Sequence, residues 1–204
     1  MRVLEIDDID MNQIKFHEPR ISTNGCTSIF VNYPDGCVTR EDSKIRITTP
    51  KCYVPFGVST YDDKQSLDVS LKDAKFVKFL RELDEMVNLK GQEQSEQWFG
   101  NHADEHDVES IYKSMVRPSK GDFPPTLRAK LPLESTMFDV NNTRVYSNQL
   151  TKGSYVQLVI ECVGVYAIKK EFGATWKIVQ AKIYPSTKVT GYAFVDEDED
   201  VDPV

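Results

Sequence analysis

Apolar and polar positions alternate with a period of two in three stretches of the C-terminal half, the pattern of half-buried strands. In "TLRAKLPL", Leu127, Ala129 and Leu131 share one face and Thr126, Arg128 and Lys130 the other. "SYVQLVIECVGVYAI" sets Val156, Leu158, Ile160 and Cys162 against Tyr155, Gln157, Val159 and Glu161. "ATWKIVQAKIYP" sets Val179, Ala181 and Ile183 against Trp176, Ile178, Gln180, Lys182 and Tyr184. Near the start, "CTSIFVNY" reads as a strand ended by the turn "PDG", and "SKIRITTPKCYVPFGVST" as edge strands bounded by Pro50 and Pro55. The period becomes helical only between these regions. "SLKDAKFVKFLRELDEMVNLKG" predicts a helix with Ser70 as N-cap, Asp73 in the first turn, an apolar face of Phe76, Phe79, Leu80, Leu83 and Val87, and Gly91 as its stop. "NHADEHDVESIYKSMVRP" predicts a shorter one capped by Asn101, with Val108, Ile111, Tyr112 and Met115 inward. Trp98 and Phe99, between the two, read as packing residues. Strands, then helices, then strands predict a mainly β, α+β fold: an antiparallel barrel or sandwich over residues 1–192 with a helical insertion at about 68–117. A disordered acidic tail, 193–204, follows.

Composition narrows this picture. A chain of 204 residues suits one domain with a substantial core. The longest apolar run, "YVQLVIECVGVYAI", is 14 residues long, contains Gln157 and Glu161, and is too short for a helix to span a bilayer. The start, "MRVLEIDDIDMN", lacks a basic segment followed by an apolar one, so the expected location is intracellular, away from any membrane. Cys26, Cys37, Cys52 and Cys162 form no C-x-x-C pair and read as free, mostly buried thiols. The first three could ligate zinc only with a histidine added, and neither metal nor cofactor is expected.

Charge is divided unevenly along the chain. Of 25 basic and 32 acidic residues, residues 1–112 hold 13 and 21, whereas 113–192 hold 12 and 5, among the bases Lys113, Arg117 and Lys120. The last nine residues carry six carboxylates: Asp196, Glu197, Asp198, Glu199, Asp200 and Asp202. A basic segment beside an acidic tether implies a surface for a polyanion within reach of an internal competitor. A solvated, merely solubilising tail is the simpler alternative.

The outward positions of the last strands combine bases with rings: Arg128, Lys130, Tyr155, Trp176, Lys182 and Tyr184, with Lys169, Lys170 and Phe172 in the connection. Single-stranded nucleic acid needs such a mixture, because bases stack on rings while cations track phosphates. The alternative is that the rings pack against the helices and the lysines protect an edge. "HADEH" places His102 and His106 four apart without the H-E-x-x-H order, so both read as surface residues. No P-loop, G-x-S-x-G or G-x-G-x-x-G occurs, which argues against catalysis.

The run "LTKGSYVQLVIECVGVYAIKKEFGATWKIVQAKIYP", followed by the acidic end, resembles the closing region of single-stranded DNA-binding proteins of bacteriophages and large DNA viruses. "TPKCYVPFGVST", the "LDVSLKD" helix segment and "FPPTLRAKLP" resemble, in the same order, proteins of nucleocytoplasmic large DNA viruses, for a total span of about 48–190. The resemblance implies an OB-like β-barrel that coats exposed strands in replication, recombination or repair, in a host nucleus or a viral factory. Carried onto this chain, it assigns DNA contacts to Arg128 and Lys130, to Lys152 and Tyr155, and to Phe172, Trp176, Lys177 and Lys182. It also implies single-stranded DNA as partner, RNA not being distinguished, and replication or repair proteins recruited by the tail; the oligomeric state is left open, a homo-oligomer being one option. Bacterial and several phage tails end in phenylalanine, whereas this one ends "DVDPV", which favours charge competition over docking in an aromatic pocket. Two other readings account for the tail or the strands: a β-barrel chaperone for histones or other basic proteins, and a jelly-roll virion protein.

Overall fold

The computed structural model describes residues 2–23, 25–34, 36–37, 39–100, 105–184 and 186. The tail carboxylates, Asn101, His102 and the side chain of His106 lie outside the described residues. In chain order the elements are β1 Lys15–Phe16, β2 Arg20–Ile21, β3 Thr27–Ile29, β4 Val31–Asn32, β5 Arg46–Thr48, β6 Cys52–Tyr53, β7 Val58–Tyr61 and β8 Lys64–Ser70. Then come α1 Ala74–Glu93, α2 Ser95–Phe99 and α3 Glu105–Ile111, followed by β9 Thr126–Lys130, β10 Thr136–Phe138, β11 Arg144–Val145, β12 Tyr155–Ile168 and β13 Glu171–Tyr184.

Five strands close a ring in the order β12–β13–β9–β8–β6 and back to β12. All neighbours in it are antiparallel except β13 and β9, which run parallel and meet at one residue pair, Lys177 with Lys130. β5, β3 and then β2 extend the β12 side; β10 and β11 extend the β13 side. β7 forms a hairpin with β8 through Asp62 and Asp63, both at positive φ (48° and 58°), the geometry of a two-residue type I′ turn. The three helices all fall between β8 and β9.

Local chemistry sets the helix ends differently from the simple pattern. Asp73, not Ser70, caps α1, its carboxylate accepting from the Phe76 amide at 2.7 Å, while Ser70 stays in β8. Gly91 does not stop the helix, which runs on to Glu93. A Cβ there would lie 2.6 Å from the Phe172 ring, so this glycine lets the helix settle onto the barrel. The apolar face of α1 is buried as its periodicity requires, and Trp98 is buried on α2 beside Phe172.

The long β12–β13 ribbon carries two bulges. Val159 pairs with Gln180 and Ile160 with Ile178, leaving Val179 as an extra residue on β13. Cys162 pairs with Trp176 and Gly164 with Thr175, leaving Val163 extra on β12. Each bulge reverses the facing of everything beyond it. Trp176 and Ile178 therefore share the inward face with Ala181 and Ile183, and the expected opposition of these two sets is corrected.

Candidate functional site

The ring is not sealed along its β13–β9 side. Segment 112–113 lies beside the start of β13, with the Lys113 amide bonded to the Phe172 carbonyl at 2.8 Å, and β9 next meets β13 at Lys177. No strand spans the residues between, and a cleft of about 610 Å³ opens there. Its floor includes Ala174, Thr175, Leu127 and Trp176. Its walls hold Lys113, Ser114, Met115 and Arg117 on one side and Lys64, Gln65, Ser66, Arg128 and Lys130 on the other, with Tyr61, Leu133 and Tyr166 also lining it. Tyr61, at the edge of the I′ turn, is 87% exposed, and Leu133 is 94% exposed.

The 112–117 wall is fixed by a carboxylate. Asp84, buried on α1, accepts hydrogen bonds from the Tyr112 and Ser114 hydroxyls and from the amides of Met115 at 2.9 Å and Val116 at 3.5 Å. Burial first, then the Asp84 charge, pushes the Tyr112 phenol far up, so it stays a neutral donor. Gly173 allows the wall to come close: a Cβ there would stand 2.6 Å from the Lys113 carbonyl oxygen. Met115 in turn accepts from the Trp176 indole N–H at 2.8 Å. Burial and the neighbouring Glu171 push the Tyr166 phenol up to about 12, with Arg117 opposing.

The cations of this cleft are not equivalent. Arg128 makes a two-pronged bond to Asp68, at 2.9 and 2.7 Å, which raises its pKa further. Lys64 has Asp62 at 3.9 Å. Lys113, Arg117 and Lys130 have no carboxylate within ion-pair distance among the described residues. Three cations without an ion-pair partner among the described residues thus ring a partly apolar floor beside two tyrosines, with Asp63 the carboxylate among the lining residues.

Other sequence-selected residues are dispersed. Lys177 is held by the buried Glu161 at 3.1 Å, which also accepts from the buried Arg46 at 2.6 Å; Arg46 in turn bonds the exposed Glu41. Lys182 donates to Asn142 at 3.0 Å. Lys169 and Lys170 occupy the turn between β12 and β13, Lys120 the turn before β9, and Lys152 the turn before β12, all exposed and outside the cleft. Tyr155 and Tyr184 do stand together, directly opposite each other and in line with Tyr53, with Lys51 Nζ 4.0 Å above the Tyr184 ring. That row lies at the other end of the ribbon.

Two placements are corrections. Phe172, fully buried, packs its ring between Trp98, Phe99 and Tyr112. Trp176 is 2% exposed. Neither presents a face to a base; the bulge at Val179 explains Trp176, and the helices cover Phe172.

Residues 57–196 match the profile of a family of unknown function, DUF5871. The chain belongs to this family. The DUF5871 segment runs from the start of β7 through β13 and contains every residue that lines the cleft. No curated protein sequence matches the chain. Two solved structures are similar in fold. The single-stranded DNA-binding protein gp2.5 of bacteriophage T7 superposes with a TM-score of 0.52 at 12% identity, over 74% of this chain and 98% of that one. The single-stranded DNA-binding protein of bacteriophage Enc34 gives 0.50 at 13% identity, over 89% and 96%. With the five-strand ring, these likenesses make this DUF5871 member an OB-like barrel, the fold class the sequence implies.

Sequence reasoning missed Tyr61, Lys64, Leu133 and Tyr166. The signal for the first two was available: "YDDK" is a two-residue turn between strand-like runs, which puts a ring and a cation at a hairpin tip.

Proposed function

We propose that this protein is a non-catalytic binder of single-stranded DNA, and that the cleft between the 112–117 segment and β8–β9 is where the strand enters. The observation that carries the reading is the set of unneutralised cations, Lys113, Arg117 and Lys130, beside Tyr61 and Tyr166 in a gap of an OB-like wall. Cations neutralise phosphates while exposed rings offer stacking faces, with no requirement for base identity. The barrels of gp2.5 and of the Enc34 protein, both single-stranded DNA-binding proteins, support it by likeness of fold.

The acidic tail fits as an internal competitor. Tyr184 ends β13 nine residues past Thr175, about 30 Å away along the strand. The twelve residues from Tyr184 to Asp196 can extend about 40 Å, enough to bring the carboxylates over the cleft. Roles in viral replication, recombination or repair, and recruitment of partners by the tail, extend the same reading.

Fluorescence titration of oligothymidylate, mixed-sequence single strands and duplex at two salt concentrations tests it. Tight binding to both single strands over duplex is expected, with a log–log salt slope of roughly -3.5 for about five phosphates. Protein lacking residues 196–204 should bind more tightly; equal or better binding of duplex would defeat the proposal.

A further inference from the structure

The outer face that carries Tyr166 continues beyond the cleft. Tyr166 stands directly opposite Ser28 on β3, and Ser28 directly opposite Arg20 on β2. Two cross-strand steps carry the surface from the cleft rim to Arg20 in about 10 Å. Phe30, two residues past Ser28 and exposed like it, lies against two guanidinium groups: Arg20 Cζ is 5.1 Å and Arg40 Cζ 5.5 Å from its ring centroid. Arg20 and Arg40 come from separate segments, β2 and the turn before β5, and converge on one ring. Both are exposed, and neither has a carboxylate within ion-pair distance among the described residues.

A guanidinium resting on a ring has its plane oriented and its N–H edges free, the state in which it grips a phosphate in a forked pair of bonds. Elsewhere on this barrel Arg46 is held by Glu41 and Glu161 and Arg128 by Asp68. Two oriented arginines without such partners, two cross-strand steps from the cleft rim, are therefore suited to the same ligand. We propose that Arg20, Phe30 and Arg40 form a second phosphate-holding station, which takes the backbone of a single strand after it passes Tyr166. This rests on the reading of the cleft as the entry site. It makes binding two-stage in length: short strands use the cleft alone, longer ones both.

The test uses the full chain and labelled oligothymidylates of about 5 and about 15 nucleotides, bracketing the span of one OB barrel. Arg20→Gln/Arg40→Gln should leave the short oligomer unaffected, weaken the long one about tenfold, and reduce its log–log salt slope by about 1.4, two phosphates' worth. Phe30→Leu, which keeps both charges but removes their support, should give a smaller loss on the long oligomer only. Lys113→Ala should weaken both lengths. If wild-type protein binds both oligomers and the double variant matches it on the long one, the station is refuted while the cleft stands. If wild-type protein binds neither, both fall. Both arginines being exposed, an unchanged melting temperature confirms that the variants are folded.

Discussion

Lys130 and Lys177 stand directly opposite each other on β9 and β13, yet they belong to different regions. Lys130 lines the cleft with no carboxylate within ion-pair distance among the described residues. Lys177 pairs with the buried Glu161, which also holds Arg46. The two regions have similar residue types, but one leaves its cations without ion-pair partners among the described residues and the other is a clamp that ties β5, β12 and β13 together. Availability of a cation is decided by the carboxylates its fold brings to it, not by the local excess of positive charge along the chain.

That contrast can be tested by breaking each side. The largest effect is expected at the shared floor: Trp176→Ala should cost about 3–5 kcal/mol in chemical denaturation, as for other buried rings cut to a methyl. Retained stability with weakened DNA binding would restore Trp176 as a stacking residue. Glu161→Gln should follow closely, at about 3 kcal/mol, because it takes from the buried Arg46 the buried one of its two carboxylates, leaving only the exposed Glu41. Gly173→Ala should cost about 1–3 kcal/mol by pushing back the Lys113 segment, and should weaken oligonucleotide binding as well. At the cleft, Lys130→Ala should change stability by less than about 0.5 kcal/mol and lower the salt slope by about 0.7. Smallest of all, Lys177→Ala should leave the salt slope at its wild-type value; a drop equal to that of Lys130→Ala would erase the distinction between the two regions.

Legibility in the sequence followed physical range. Alternation placed Leu127, Ala129, Leu131 and the first half of β12 correctly, because each depends only on neighbours two residues away. It failed on Trp176 because the extra residue, Val179, leaves no mark in composition or period. The apolar stripe of α1 was clear, but its cap was not, since Asp73 and Ser70 are both good caps and only the end of β8 decides between them. Lys113, Arg117 and Lys130, which the cleft brings together, stand in one basic stretch, and that is a local property legible in the sequence. That Arg128 and Lys177 would be matched by Asp68 and Glu161 was hidden, since strand pairing rather than sequence proximity makes those bonds. Arg20 and Arg40 were overlooked for the converse reason: they lie in the acidic half of the chain, and only folding isolates them from its carboxylates.

The single residue pair that joins β9 to β13 has a mechanical consequence. Where two strands share a full ladder, their spacing is pinned at every rung; here one rung sits at the edge of the opening and none crosses it. The width of the opening is consequently set by what anchors the far wall: the backbone bonds of Lys113 to Phe172 at 2.8 Å and of Arg117 to Thr126 at 2.9 Å, together with the grip of Asp84. A mouth framed at both corners by main-chain bonds holds its gauge, and only the side chains along its rim can adjust.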